Sequence, residues 1–333
     1  MHIKGKISSF CLSKKGLFFI PLLLLLTWWW NCLPTPLFDN PLATELLDKH
    51  GELLSAHIAS DGQWRMPAAD SISTKLKQCV VAFEDERFYG HPGIDPVAIA
   101  RALGDNHRAG RTVSGGSTLT MQVARMARDN PPRNVWQKSI EALMALRLEV
   151  ALSKEELLDL WLDNAPFGGN VVGIEAACRR YYGRSPASLS WAEAAALAVL
   201  PNSPALIHPG RNLTVLRKKR DALLHTLSEQ GILPAQELEL ALIEPLPHEP
   251  KALPRHAPHY LQRQLVENGP GRYRSNIDAR LQQTVGRLLH SHHQQLAANQ
   301  IHNLAVMVSE VATGEVVAYH GNVADLPPAL PRR

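Results

Sequence analysis

The chain has 333 residues, 45% of them hydrophobic, and 35 Lys and Arg against 31 Asp and Glu leave a net charge of +4. That length holds one domain of about 200 residues with smaller pieces beside it. The charge balance excludes a general polyanion-binding protein while suiting an anionic lipid surface, and four cysteines are too few for a disulfide framework in a chain this long.

From Leu17 to Phe38 there is no charged residue, with five consecutive leucines, Leu22 to Leu26, followed by Trp28, Trp29 and Trp30. As a helix rising about 1.5 Å per residue, such a run would cover about 33 Å, enough for a hydrocarbon layer of about 30 Å. Lys4, Lys6, Lys14 and Lys15 precede it, which places the N-terminus in the cytoplasm and the remainder outside. A cleaved signal peptide has the same outline, but no small-x-small cleavage site follows the tryptophans, so an uncleaved anchor is the better reading. Cys11 then faces the cytoplasm and Cys32 the membrane edge, while Cys79 and Cys178, in apolar helical settings, read as buried free thiols.

After the anchor, short apolar stretches on either side of His50-Gly51 predict a hairpin. Ile72 to about Ile243 reads mainly as helix. Asp95-Pro96 is a helix start, Ser153-x-x-Glu156 and Ser190-x-x-Glu193 have the form of capping boxes, Pro201 ends the helix after the second box, and Gly231 ends one beginning near Leu213. Five prolines between Pro245 and Pro258 predict a linker. Ile277 to Gln282 opens another helix, and Leu304 to Glu310 and Glu315 to Tyr319 read as strands joined at Ala312-Thr313-Gly314. His290, His292, His293 and His302 lack accompanying ligand types and read as a solvated helix face, so no metal site is assigned.

The chemistry-bearing segments lie in the helical region. Glu84-Asp85-Glu86-Arg87-Phe88-Tyr89-Gly90-His91-Pro92-Gly93, then Gly115-Gly116-Ser117-Thr118-Leu119-Thr120-Met121-Gln122, then Gln137-Lys138-Ser139-Ile140-Glu141 follow in order, and Ser153 to Gly168 and Ala194 to Pro204 come after them. Singly these are weak, since acidic clusters at helix ends are usually solvated and Gly-Gly-Ser is usually a loop. Together they resemble the five motifs of the family 51 peptidoglycan glycosyltransferases, the polymerising half of class A penicillin-binding proteins, and Met121 in place of a frequent glutamine resembles the 1C type. The resemblance is close from about Pro67 to Pro209 and loose in the tail.

It implies a mainly α fold, a lysozyme-like glycosyltransferase domain with an apolar jaw leaning into the membrane. The chain then divides into a cytoplasmic tail (1–16), a transmembrane anchor (17–38), a linker with hairpin (39–66), the glycosyltransferase domain (67–244), a linker (245–275) and an incomplete α/β transpeptidase N-terminal region (276–333). A penicillin-sensitive transpeptidase needs a serine with lysine three residues on and a Lys-Thr-Gly strand. Neither pattern occurs in this sequence, so no peptide cross-linking is expected.

Extending a glycan by displacing a lipid diphosphate requires a base for the acceptor hydroxyl and positive charge beside the leaving group. Glu84 is the expected base, because a carboxyl in a partly desolvated cleft has its pKa raised toward working pH. Asp85 and Glu86 are the neighbouring alternatives. Glu141, on one helical face with Lys138 and Gln137, is expected to assist at the donor, with Lys138 supplying a compact charge. Gln137 stands where an arginine is common, and Arg133, one turn earlier, is expected to compensate. Gly115, Gly116, Ser117 and Thr118 form a turn into a helix, where free amides and hydroxyls meet an anion. Asp85, Phe88, His91, Gln122 and Arg125 complete the expected substrate-binding set. Arg108, Arg111 and Arg128 also flank the glycine run and read equally as surface charge. Asp159, Trp161 and Asp163 replace the glutamate, tyrosine and asparagine usual in the fourth motif.

The resemblance implies lipid II and lipid-linked glycan as substrates, the inner membrane and other cell-wall synthesis proteins as partners, no nucleic acid and no required cofactor, with a divalent cation, Mg or Mn, allowed at the diphosphate. The catalytic domain would lie on the periplasmic side of a single-pass anchor. Two competing readings are a lytic muramidase, since paired carboxylates also cleave glycosides, and a catalytically impaired truncated relic or membrane-bound scaffold.

Overall fold

The computed structural model describes residues 14–111, 115–132, 134–202, 204 and 207–323. It resolves into two compact units, one made of the chain up to Asp39 together with Val81–Leu162, the other of Asn40–Val80 together with the chain from Asp163 onward. Each is assembled from separate stretches of the chain.

The first unit contains α1 (Lys14–Trp30), the end of α2 (Thr74–Glu84), α3 (Pro96–Ala109), α4 (Leu119–Met126), α5 (Val135–Ala151) and most of α6 (Lys154–Asn164). Asp95 starts α3 as the sequence predicts, its carboxylate accepting from the N–H groups of Val97 and Ala98 with Pro96 at the first helical position. Ser153 and Glu156 form the reciprocal bonds of a capping box before α6, the Ser153 N–H donating to Glu156 Oε2 at 2.7 Å and the Glu156 N–H to Ser153 Oγ at 3.3 Å. The core of the unit is the apolar face of α4 (Leu119, Met121, Val123, Ala124, Met126) with Met144, Ala145 and Leu148 of α5 and Leu157, Leu158, Trp161 and Leu162 of α6, all buried.

Helix α1 has 17 residues, with Pro21 inside it, about 26 Å at the usual rise. It ends at Trp30, where the Asn31 N–H returns to Thr27 O at 3.2 Å, so Leu33 to Phe38 do not continue it. Among the described residues no helix is long and apolar enough to cross a membrane. The far end of α1 is tied to α5: Trp29 Nε1 donates to Leu143 O at 2.8 Å, Arg147 Nε donates to Trp30 O at 3.2 Å, and the Arg147 guanidinium lies 4.5 Å from the Trp30 ring centre.

The second unit holds α7 (Ile174–Tyr181), α8 (Trp191–Val199), α9 (Leu213–Glu229), α10 (Ala235–Ile243), α11 (Pro258–Asn268) and α12 (Ala279–Ala297), with strands β1 (Thr44–Leu47), β2 (Leu53–His57), β3 (Trp64–Arg65), β4 (Pro166–Gly168), β5 (Val171–Val172), β6 (Arg272–Arg274), β7 (Val306–Ser309) and β8 (Val316–His320). Every position of α8 is buried, which its run of alanines permits by letting α9 and α10 approach closely; a full capping box at Ser190 and Glu193 starts it. Arg220 of α9, 1% exposed, donates from Nη1 to Glu244 O at 2.6 Å and from Nη2 to Leu242 O at 3.2 Å, so a buried guanidinium satisfies carbonyls at the end of α10.

The predicted hairpin is present, β1 pairing antiparallel with β2 around His50-Gly51, and β7 pairs antiparallel with β8. The interval 245–275, expected as linker throughout, carries regular structure in its second half: Pro258 opens α11 instead of closing the proline-rich run, and β6 joins β1 in parallel. Leu46, Leu54, Ala257, Leu261 and Ile277 bury one another there. Arg272 pairs with the fully buried Glu45 and reaches Asp70 Oδ1 at 2.7 Å. Cys32, Cys79 and Cys178 are free thiols; burial pushes the Cys79 thiol up to about 12. Cys11 lies outside the described residues. His292 and His302 are exposed, whereas His290 and His293 are half-buried, and His302 lies beyond the end of α12.

Candidate active site

Glu84 is the last residue of α2 and half-buried. Its Oε2 accepts from Gln122 Nε2 at 2.8 Å, and Gln122 Oε1 accepts from the indole Nε1 of Trp161 at 3.0 Å. A carboxylate from α2, an amide from α4 and an indole from α6 therefore stand in line.

Asp85, next in sequence, is 7% exposed. Its Oδ2 accepts the Leu119 N–H at 2.9 Å, so it satisfies an open donor at the start of α4 and places a negative charge at that helix's positive end. The Nε2 of His91 lies 3.0 Å from Asp85 Oδ1, and His91 Nδ1 accepts from the Gly93 N–H at 3.2 Å. Because Nδ1 accepts, the ring proton sits on Nε2 and points at Asp85. Thr118 closes this loop, donating to Gly93 O at 2.6 Å and accepting from the Met121 N–H at 3.1 Å. Phe88 is fully buried beneath the loop. Asp85, Phe88, His91 and Thr118, expected as substrate contacts, thus hold the loop after Glu84 against the start of α4.

The glycines divide in the same way. Gly115 is exposed and a Cβ on it would meet nothing within 4 Å, whereas a Cβ on buried Gly116 would lie 2.8 Å from Ile99 Cα. Gly116 therefore lets the turn lie directly on the backbone of α3, leaving Gly115 and half-buried Ser117 toward the solvent side. Arg125 is in the last turn of α4, half-buried. On α5, whose first turn is capped by Asn134 Oδ1 accepting from the Gln137 N–H at 2.8 Å, Lys138 is exposed, and Glu141, one turn on, is 7% exposed. Arg133 lies outside the described residues.

Sequence reasoning missed three supporting residues. Lys154 Nζ donates to Glu149 Oε1 and to His91 O, each at 2.7 Å, Thr120 Oγ1 donates to the same Glu149 oxygen at 2.6 Å, and the ammonium lies 4.4 Å from the Phe88 ring centre. The Glu149–Lys154 separation bridges the turn between helices and matches no helical period, so no spacing argument flags it.

Among the described residues the grouping with metal-ligand potential is Asp85, His91 and Asp95. It does not fit an ion. Asp85 is committed to His91 and the Leu119 amide, and the Arg87 guanidinium bound to Asp95 holds that carboxyl below the usual carboxylate range, while the Nε2 proton makes His91 a donor toward this cluster.

Residues 50–228 match the Transglycosylase family, more than half of the 333 residues. The chain belongs to the transglycosylase family. It is 36% identical over 256 residues to penicillin-binding protein 1C of Escherichia coli K12, covering 77% of this chain and 33% of that protein. It is 37% identical over 163 residues to a biosynthetic peptidoglycan transglycosylase of Nitrosospira multiformis, 49% of this chain and 71% of the relative, and 45% identical over 134 residues to another of that description in Azoarcus, 40% and 58%. The chain spans about a third of the length of the penicillin-binding proteins 1C and 1A that it matches. Glu84, Gln122, Glu141 and Trp161 all fall inside the transglycosylase region, whereas α11, α12 and β6 to β8 lie beyond it.

Proposed function

We propose that the chain is a peptidoglycan glycosyltransferase that polymerises lipid II into β-1,4-linked glycan strands with release of undecaprenyl diphosphate. Membership of the transglycosylase family supports the reaction class. The observation that carries the assignment to residues is the half-buried Glu84 held at 2.8 Å by Gln122, on the helix that follows the turn of Gly115, Gly116 and Ser117. In this reading Glu84 takes the proton of the acceptor hydroxyl, so that the oxygen attacks the donor sugar as its bond to the diphosphate breaks. Ser117, Arg125 and Lys138 face the charge growing on the leaving group, and buried Glu141 assists at the donor side.

The same reading puts the catalytic region on the outer side of the inner membrane, with the apolar stretch that contains α1 as its membrane anchor, residues 67–244 as a lysozyme-like catalytic domain and residues from 276 as the start of a further one. What supports the anchor is the exposure of Leu23, Leu24, Trp28 and Trp30 along α1 and the lysines before it, a pattern of an apolar body with aromatic ends.

Polymerisation of labelled lipid II by the detergent-solubilised protein, beside Glu84→Gln and with moenomycin, tests this. Polymer from the parent that either change abolishes is the expected result. Failure of the parent under varied detergent and divalent-ion conditions would overturn the enzymatic reading in favour of a scaffold.

A further inference from the structure

We propose that Trp161 is a positioning residue that anchors the Gln122 amide by its oxygen, and so fixes where the amide nitrogen meets Glu84 and keeps the base oriented. The inference rests on the proposed function for its kinetic consequence and on geometry alone for its structural one.

The chemistry of the donors decides the orientation. An indole nitrogen can only donate a hydrogen bond, and an ionised carboxylate can only accept. Between Trp161 Nε1 at 3.0 Å and Glu84 Oε2 at 2.8 Å, the Gln122 amide has one arrangement that satisfies both neighbours, oxygen toward the indole and nitrogen toward the carboxylate. The flipped amide would set its NH₂ against the indole N–H and its oxygen against the carboxylate, two repulsive contacts in a partly desolvated place. Trp161 is 1% exposed and is packed among the buried residues of α6, so its N–H does not turn away to water. The relay gives Glu84 a donor aimed at its charged form.

The test compares Trp161→Phe, which keeps an aromatic ring and removes the donor, with Trp161→Tyr, which restores a donor, and with Gln122→Met, which removes the amide. In crystal structures, Trp161→Phe should lose the bond from Gln122 Nε2 to Glu84 Oε2 and Trp161→Tyr should keep it; a bond retained in Trp161→Phe overturns the proposal whether or not the protein polymerises lipid II. In the polymerisation assay, Trp161→Phe and Gln122→Met should lower kcat by about 10- to 100-fold with KM within about twofold, the scale of a hydrogen bond to a charged group, and Trp161→Tyr should recover most of the loss. Unchanged kcat in folded Trp161→Phe overturns it, and if that variant does not fold, unchanged kcat in Gln122→Met does so. A parent without activity would defeat the proposed function while the crystallographic comparison still decides the orientation.

Discussion

His91 Nε2 sits 3.0 Å from Asp85 Oδ1, and the other oxygen of the same carboxylate takes the Leu119 N–H at 2.9 Å. One acid thereby serves a ring on its own loop and the first turn of α4.

Asp85→Ala should therefore destabilise the protein by about 2–4 kcal/mol, since it strands two donors in a buried place. Urea or thermal unfolding checks this. A normal melting temperature combined with a raised KM for lipid II would mean instead that Asp85 acts on substrate.

Gly116→Ala should cost about 1–3 kcal/mol, because its methyl group would lie 2.8 Å from Ile99 Cα and 3.0 Å from Ile99 N, atoms that cannot move aside without shifting α3. Gly115→Ala, with nothing within 4 Å, should leave stability within about 0.5 kcal/mol of the parent. Melting temperatures of the pair decide whether packing or backbone freedom makes these glycines necessary.

Acid should loosen the packing of α12 against β8. Burial lowers the pKa of His320, whose Nε2 lies 2.8 Å from Gln282 O, and burial with the nearby His320 lowers that of His256. Both are thus held neutral in the folded chain, while the unfolded chain takes up their protons near the ordinary value of about 6.5. Their contribution is present above that value and is lost as pH falls below it toward the folded values. Protection factors of the β8 amides, taken against the intrinsic exchange rate at each pH, should fall between about pH 7.5 and 5, and His320→Gln should flatten that dependence. An equal dependence in the variant would assign it elsewhere.

Much of the helical scaffold is legible in the residues because its signals are local. Asp95-Pro96, Ser153-x-x-Glu156 and Ser190-x-x-Glu193 each contain within four positions the groups that satisfy a helix start, and the structure uses all of them. Helix α11 was hidden because Pro258 serves equally as the last residue of a proline-rich linker and as the first of a helix. The site is harder. Acidic residues in a row look alike on paper, yet Glu84 is half-buried while Asp85 is 7% exposed and already committed. The difference depends on partners far along the chain, Leu119 for one and Gln122 for the other. The same distance in sequence hides Trp161 behind Gln122 and Arg272 behind Glu45, for which no periodicity exists to be read.

The parallel pairing of β1 with β6 has a bearing on synthesis. Glu45 emerges from the ribosome 227 positions ahead of the Arg272 that pairs with it, an interval of about 10–45 s at ordinary elongation rates. Throughout that time the outer edge of Thr44–Leu47 has no strand to bond, and the Glu45 carboxylate has no guanidinium. An unpaired edge of this kind recruits strands from other chains, so nascent copies growing side by side are most prone to pair with each other in this window, and a holdase covering residues 44–47 would matter until Arg272 arrives.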